Sequence, residues 1–228
     1  MRIIAIGCLK SFWERYPEVE QPLRSWIDEV KNAEWTMPSD IKRLYSTASV
    51  LKGRRVVFNI KGNEYRLVVA IAYQYQSIYI KFIGTHRQYD AVDANSVEME
   101  WQMNIRPIRN EQDYKAALKE VSPLFDNPPK PNTPEGDSFE VMLTLIEAYE
   151  SKHFPVDLPD PVEAIKFRME QSGLTVRDLT AAIGNPNRVY EVLNRKRNLT
   201  LPMIRRLHTL FGIPAECLIK SAKVGQHS

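Results

Sequence analysis

The sequence predicts an α+β protein in which a first part packs helices on a small antiparallel sheet and the remainder is all helical. Three observations carry this. Apolar residues recur at three- and four-residue steps up to about residue 33, switch to strict alternation from Arg55, and return to helical spacing after residue 103. Local charge divides the chain at similar places: residues 1–102 hold 14 Lys/Arg and 12 Asp/Glu, 103–160 hold 6 and 11, and 161–228 hold 11 and 5, which gives +2, −5 and +6. Met103 stands where one small-protein pattern ends and a second opens as if from its own start. With 228 residues and 43% hydrophobic content, two cores are within reach. We therefore divide the chain into 1–102, an acidic helical 103–160, and a basic 161–228.

Composition also limits the function classes. No apolar run approaches the ~20 residues needed to span a bilayer, and Met1 leads into the strand-like Arg2-Ile3-Ile4-Ala5-Ile6 without a basic-then-apolar leader. The expectation is a cytoplasmic protein with no membrane partner. Cys8 and Cys217 lie far apart without metal-type spacing, so both read as core thiols. Neither a metal nor a cofactor is expected.

In the first part, Phe12, Trp13, Tyr16, Leu23, Trp26, Ile27 and Val30 mark two helices, near Leu9–Tyr16 and Glu18–Ala33, with one apolar face. The aromatic residues on it read as core and not as base-stacking platforms. Strands follow at Arg55–Ile60, Glu64–Tyr73 and Ser77–Gly84, joined by Lys61-Gly62-Asn63, which suits a tight hairpin, and by a turn around Gln74–Gln76. Between residues 42 and 66 the chain places Lys42, Arg43, Lys52, Arg54, Arg55, Lys61 and Arg66 against a single acid, Glu64. Such a face suits a polyanion, or is simply a solvated surface. Arg66 within a strand favours the polyanion, because strand interiors seldom carry an unpaired arginine.

Thr85-His86-Arg87-Gln88-Tyr89-Asp90 comes directly after the last strand. A lone histidine is most often structural. Imidazole, phenol and carboxylate at the end of a basic sheet also form an acid–base set for phosphodiester cleavage. RNA is cut when its 2′-hydroxyl is deprotonated, in-line geometry is imposed, and cations neutralise the charge that builds on the phosphorus centre.

At these residues the chain resembles a known family. Val57-Phe58-Asn59-Ile60-Lys61-Gly62-Asn63-Glu64-Tyr65-Arg66-Leu67, with Thr85–Asp90 about twenty residues on, is similar to the HigB toxins, ribosome-dependent mRNA interferases with a RelE-like fold. The resemblance implies mRNA on the ribosome as substrate. It implies Lys61, Arg66, His86, Tyr89 and Asp90 as the catalytic group, with Arg66 on the phosphate, and Arg54, Arg55, Asn59 and Asn63 as RNA contacts.

In the second part, Glu111–Phe125 and Ser138–His153 read as amphipathic helices on either side of Asn127–Gly136, a loop with four prolines. This acidic pair either packs on its own domain or covers the basic first part. From residue 161 five short helices carry strong punctuation. Gly173 closes Pro161–Ser172, Thr175 and Asp178 form a capping box, and Gly184-Asn185-Pro186 makes a turn into Pro186–Asn194. Thr200 opens Leu201–Phe211, Gly212 ends it, and Ile213–Ile219 follows.

This arrangement resembles a Cro/repressor-type helix-turn-helix, in which Pro186–Asn194 would enter the major groove. Asn187, Arg188, Tyr190 and Glu191 would face base edges, and Arg195, Lys196 and Arg197 phosphates. Over Pro134–Ser151 and Asp160–Ile219 the chain is similar to the HigA antitoxins, which implies operator DNA as a partner, contact between the toxin and antitoxin parts, and a homodimer on a palindrome. The expectation is a toxin fused to its antitoxin, with RNA cleavage suppressed in the intact chain and autorepression at DNA. A DNA-binding repressor whose first domain is inactive and structural stays open beside it.

Overall fold

The computed structural model describes residues 1–89 and 105–219. Asp90, the acidic stretch 91–102 and the Met103 junction lie outside the described residues. The first unit runs β1 (Arg2–Ile4), α1 (Gly7–Arg15), α2 (Glu20–Lys31), α3 (Pro38–Leu44), β2 (Ser49–Val50), β3 (Arg55–Ile60), β4 (Tyr65–Ala72), β5 (Ser77–Thr85) and α4 (His86–Tyr89). The sheet order is β1-β5-β4-β3-β2. Strands β3 to β5 are antiparallel as expected, the short β2, which the sequence does not signal, pairs antiparallel with β3, and β1 adds a parallel edge to β5.

Alternation along β3 divides the sheet into two faces. Val56, Phe58 and Ile60 are fully buried on one of them, where Phe58 meets Trp26 of α2 and Tyr45 just after α3, at ring separations of 5.5 and 4.9 Å. Arg55, Val57 and Asn59 point to the other. The sequence allows that second face to be either solvated or covered by the acidic helices; all eight residues of β4 are buried, the mark of a strand covered on both sides. α3 also went unread: Asp40 accepts from the Thr36 and Met37 amides at 2.9 and 3.2 Å and starts a helix within a stretch that reads only as basic.

The second face is covered by the rest of the chain. This comprises α5 (Glu111–Val121), a 3-10 turn at Ser122–Phe125, and α6 (Pro134–His153), which begins four residues earlier than its apolar pattern indicates. Phe125 packs on Tyr79 at 5.3 Å, and Phe139 on Tyr75 at 4.9 Å. One continuous core therefore runs from Ile3 through the sheet to Phe139, Ile146 and Phe167. A second core joins α7 (Pro161–Ser172), α8 (Val176–Ile183), α9 (Pro186–Leu193), α10 (Leu201–Phe211) and α11 (Ala215–Ile219).

Most predicted caps are present. Asp178 accepts from both the amide and the hydroxyl of Thr175, and Asn185 accepts from the Arg188 amide at 2.9 Å. Gly173 and Gly212 take left-handed conformations at their helix ends. Two expectations fail. Thr200 stands before α10 without a capping bond from its side chain. Cys8 is exposed while Cys217 is buried, because α1 turns Gly7, Leu9, Phe12 and Trp13 inward and leaves Cys8 at the margin of that face. Among the described residues, no helix is long and apolar enough to cross a membrane.

Candidate functional site

Strand register assembles much of the expected RNA-cleaving group at one end of the sheet. Asn59 pairs with Arg66, and Arg66 with Gly84, so these three form a row on the second face. The hairpin holds Lys61 and Gly62 at φ of 53° and 67°, and the Lys61 amine pairs with Glu64 at 3.1 Å. His86 follows β5 directly, its amide donating to the Glu64 carbonyl at 3.0 Å. The Tyr89 ring lies 6.4 Å from that of Phe82.

Arg66 is only 8% exposed. Its guanidinium donates to the carbonyls of Asn63 at 3.0 Å and Tyr65 at 3.4 Å, which holds it against the hairpin. Asn59, Lys61, Asn63, Arg66 and His86 thus converge on one sheet end, with Tyr89 a turn away. Arg54 and Arg55 do not join them: they lie at the far end of β3, about 13 Å along the strand from Asn59 at ~3.3 Å per residue. Asp90 falls outside the described residues.

Each end of β3 is met by a carboxylate from the second half of the chain. Asp126 bridges Arg55, at 3.0 Å to Nε and 2.9 Å to Nη2, and Lys81, at 3.0 Å. The Lys81 ammonium also donates to the Ser122 carbonyl at 2.6 Å and hydroxyl at 3.2 Å, and burial pulls its pKa below the usual lysine range. At the hairpin, Glu170 accepts from the Gly62 amide at 2.7 Å, and Gln171 donates to the Asn59 carbonyl at 2.9 Å.

Helix α7 is held more deeply still. Arg168 reaches Glu29 of α2 at 2.5 Å, Tyr45 donates to the same carboxylate oxygen at 2.6 Å, and Arg168 also donates to the Leu44 carbonyl at 2.9 Å. On the far side of the sheet, Glu150 of α6 accepts from the Ile6 amide and the Tyr114 hydroxyl, and burial raises its carboxyl to about 7. Lys81, Asp126, Glu150, Arg168 and Glu170 were not singled out from the sequence. Lys81 alone gave a usable signal, as a second cation inside a strand like Arg66.

Comparison with known proteins assigns the two halves. Residues 19–92 match the model of the HigB toxin family, described as the RelE-like toxic component of a toxin-antitoxin system. The Escherichia coli K12 protein named mRNA interferase toxin HigB is 28% identical over 96 residues, which are 41% of this chain and 92% of that protein. Further along, the Antitoxin HigA of Escherichia coli K12 is 33% identical over 114 residues, 46% of this chain and 78% of the relative, and Shigella flexneri HigA matches to the same extent. The chain belongs to the HigA antitoxin family, with a HigB-type toxin domain ahead of it.

In this chain the expected DNA-reading helix is α9. Val189 and Val192 are fully buried beneath it, while Asn187, Arg188 and Tyr190 are exposed. Glu191 pairs with Arg197 at 2.5 Å. Arg195 turns inward: it grips Asp160 at 2.8 Å and Glu163 at 2.9 Å, tying the end of α9 to the start of α7. Lys196 is exposed, with its amide on the Glu191 carbonyl. The outward set is therefore Asn187, Arg188, Tyr190 and Lys196, with Glu191 and Arg197 paired to each other and Arg195 engaged within the fold.

Proposed function

We propose that this chain is a toxin–antitoxin module in one polypeptide. The HigB part is a ribosome-dependent mRNA endonuclease held inactive by the HigA part, which binds operator DNA through α9 and represses transcription of its own operon. One observation carries the reading: Asp126 and Glu170 of the HigA part sit on the basic strand of the HigB part, while the polar side of α9 faces out.

The chemistry follows from what each group can offer a phosphodiester. Arg66, pre-positioned by two carbonyls, supplies fixed positive charge where oxygen charge grows in the transition state. Lys61, once exchanged from Glu64, neutralises a non-bridging oxygen. His86 and Tyr89 are the proton carriers for the attacking 2′-hydroxyl and the leaving 5′-oxygen. In the intact chain the RNA path along β3 is covered, so this set faces no substrate.

A second reading has its own support. The two halves share one core, and the HigB sheet is buried on both faces, as a domain kept for structure would be. The test is ribosome-dependent mRNA cleavage by residues 1–102 alone, shown folded by circular dichroism, beside the intact chain and an Arg66→Ala fragment. We expect cleavage by the fragment, none by the intact chain, and a loss of roughly 10²-fold or more with Arg66→Ala. A folded, silent fragment would leave a DNA-binding repressor with a structural first domain.

A further inference from the structure

Lys81 of the HigB domain is satisfied wholly by the HigA part. Its amine lies on a sheet face, its side chain only 15% exposed, and each of its hydrogen bonds goes to Ser122 or Asp126 of the HigA part. Covering an ammonium without an anion is costly, and the HigA part that covers Lys81 brings a carboxylate to it, so this point of the HigB surface is one that a negative group fits. Arg55, 19% exposed, directs its Nε–H and Nη2–H at a single oxygen of the same carboxylate, Asp126 Oδ1, charge-assisted bonds that a phosphate oxygen accepts as readily as a carboxylate oxygen. At the other end of β3 the Gly62 amide stands in a left-handed turn and takes Glu170; such turn amides are anion-binding elements. Asn59 and Arg66 lie between the two positions.

Resting on the ribonuclease reading above, we infer that Arg55 with Lys81 forms one RNA phosphate site, that the Gly62 amide forms a second, and that Asp126 and Glu170 fill both as carboxylate surrogates in the intact chain. The RNA strand then runs along β3 with Arg66 at the cleavage point between two anchored phosphates. Lys81 is an RNA contact, and the HigA part suppresses cleavage by occupying phosphate positions.

The full chain tests this without any cleavage assay. In Asp126→Ala, inorganic phosphate should raise the melting temperature by about 2–4 °C over chloride of equal ionic strength, the shift for roughly 1 kcal/mol in a chain of this size. Wild type should not respond, and Asp126→Ala with Lys81→Met should lose the response. A short fluorescein-labelled single-stranded RNA should bind Asp126→Ala/Glu170→Gln about tenfold more tightly than wild type, with a salt slope steeper by about 1.4, the figure for two phosphates on a single strand.

Equal phosphate effects on wild type and Asp126→Ala, or an unchanged RNA affinity, would overturn the assignment. If Asp126→Ala fails to fold, Glu170→Gln and Asp126→Asn are measured against the same RNA under the same criterion. Because neither readout involves bond cleavage, a negative result removes the phosphate sites and leaves the ribonuclease reading standing. A silent free HigB domain would remove that reading without touching these measurements.

Discussion

Helices α7 and α9 belong to the same five-helix unit, have Asp or Asn at the N-cap and proline at the first position, and are used in opposite ways. α9 buries Val189 and Val192 and turns the rest outward. α7 buries Pro161, Val162, Ala164, Ile165, Phe167, Arg168 and Gln171, with Ala164 and Ile165 in the helical core and Phe167 in the core shared with the toxin sheet. A helix that buries residues in two separate cores has neighbours on both sides. α7, which starts at Pro161 behind its Asp160 cap, therefore serves two cores: it packs on the toxin-like sheet and is the first helix of the five-helix unit. Charged residues on the two helices have correspondingly different tasks. Arg168 is committed to the fold, and Arg188 is free for a ligand.

The sharpest way to break this contrast is to remove Arg168. Arg168→Ala leaves the Glu29 carboxylate, side chain 6% exposed, without its ion partner. Losing one member of a buried pair costs about 3–5 kcal/mol, and this should appear in urea unfolding of the intact chain. Burial already raises the Glu29 carboxyl above its usual range, with the Arg168 charge opposing that shift. The variant should lose stability further as pH rises and the carboxylate must ionise without its partner. A cost below about 1 kcal/mol would mean that α7 is only laid against the toxin and not anchored to it.

The second seam, at Glu150, should show itself through pH. Its carboxyl, 3% exposed, titrates near 7 in the folded chain, where burial is the largest cause and bonds from Tyr114 and the Ile6 amide oppose it. The folded state therefore keeps a proton that the unfolded chain releases near 4.5. Stability from this group is fully present below about 4.5 and is lost as pH rises through about 7, a total of about 3 kcal/mol at ~1.4 kcal/mol per unit. Asp28, raised to about 6 by burial, adds to the same trend. Glu150→Gln should flatten most of this slope between pH 5 and 8 in denaturant titrations. An unchanged slope would place the titration elsewhere.

How far the sequence could be read follows the same division. Where a signal is local or periodic it is visible: the alternation of β3 to β5, the Thr175–Asp178 box, the glycine ends, and the register that brings Asn59, Lys61, Arg66 and His86 to one sheet end. Charge balance offers the cover as one of two alternatives, but its contacts are not visible, because they are single pairs far apart in the chain, Arg55 with Asp126 and Glu29 with Arg168, and pairs of that kind leave no period. β1 reads as a strand, yet its parallel pairing with β5 depends on a return through three helices and three strands. Arg195 shows the limit of counting charge: it belongs to a basic triplet, but Asp160, 35 residues earlier, takes it away from solvent.

The smallest expected effects on stability, and the most selective ones, lie on α9. Arg188 and Lys196 are both exposed, and truncating either should move the unfolding free energy by no more than about 0.5 kcal/mol. Their effects on DNA should differ in kind. Arg188 follows the Gly184 turn at the head of α9, its guanidinium so close that a Cβ added at Gly184 would lie 3.2 Å from Nη1. On the proposed operator-binding reading it turns outward to a base edge, so Arg188→Ala should cost about 1–3 kcal/mol on the operator and little on random DNA. Lys196 sits beyond the end of α9, exposed, and on the same reading it is a phosphate contact. Lys196→Ala should weaken operator and random DNA alike and lower the salt slope by about 1. Titrating both variants against both DNAs at several salt concentrations separates the two roles, and equal losses on random and operator DNA from both would show that α9 is not the helix that reads sequence.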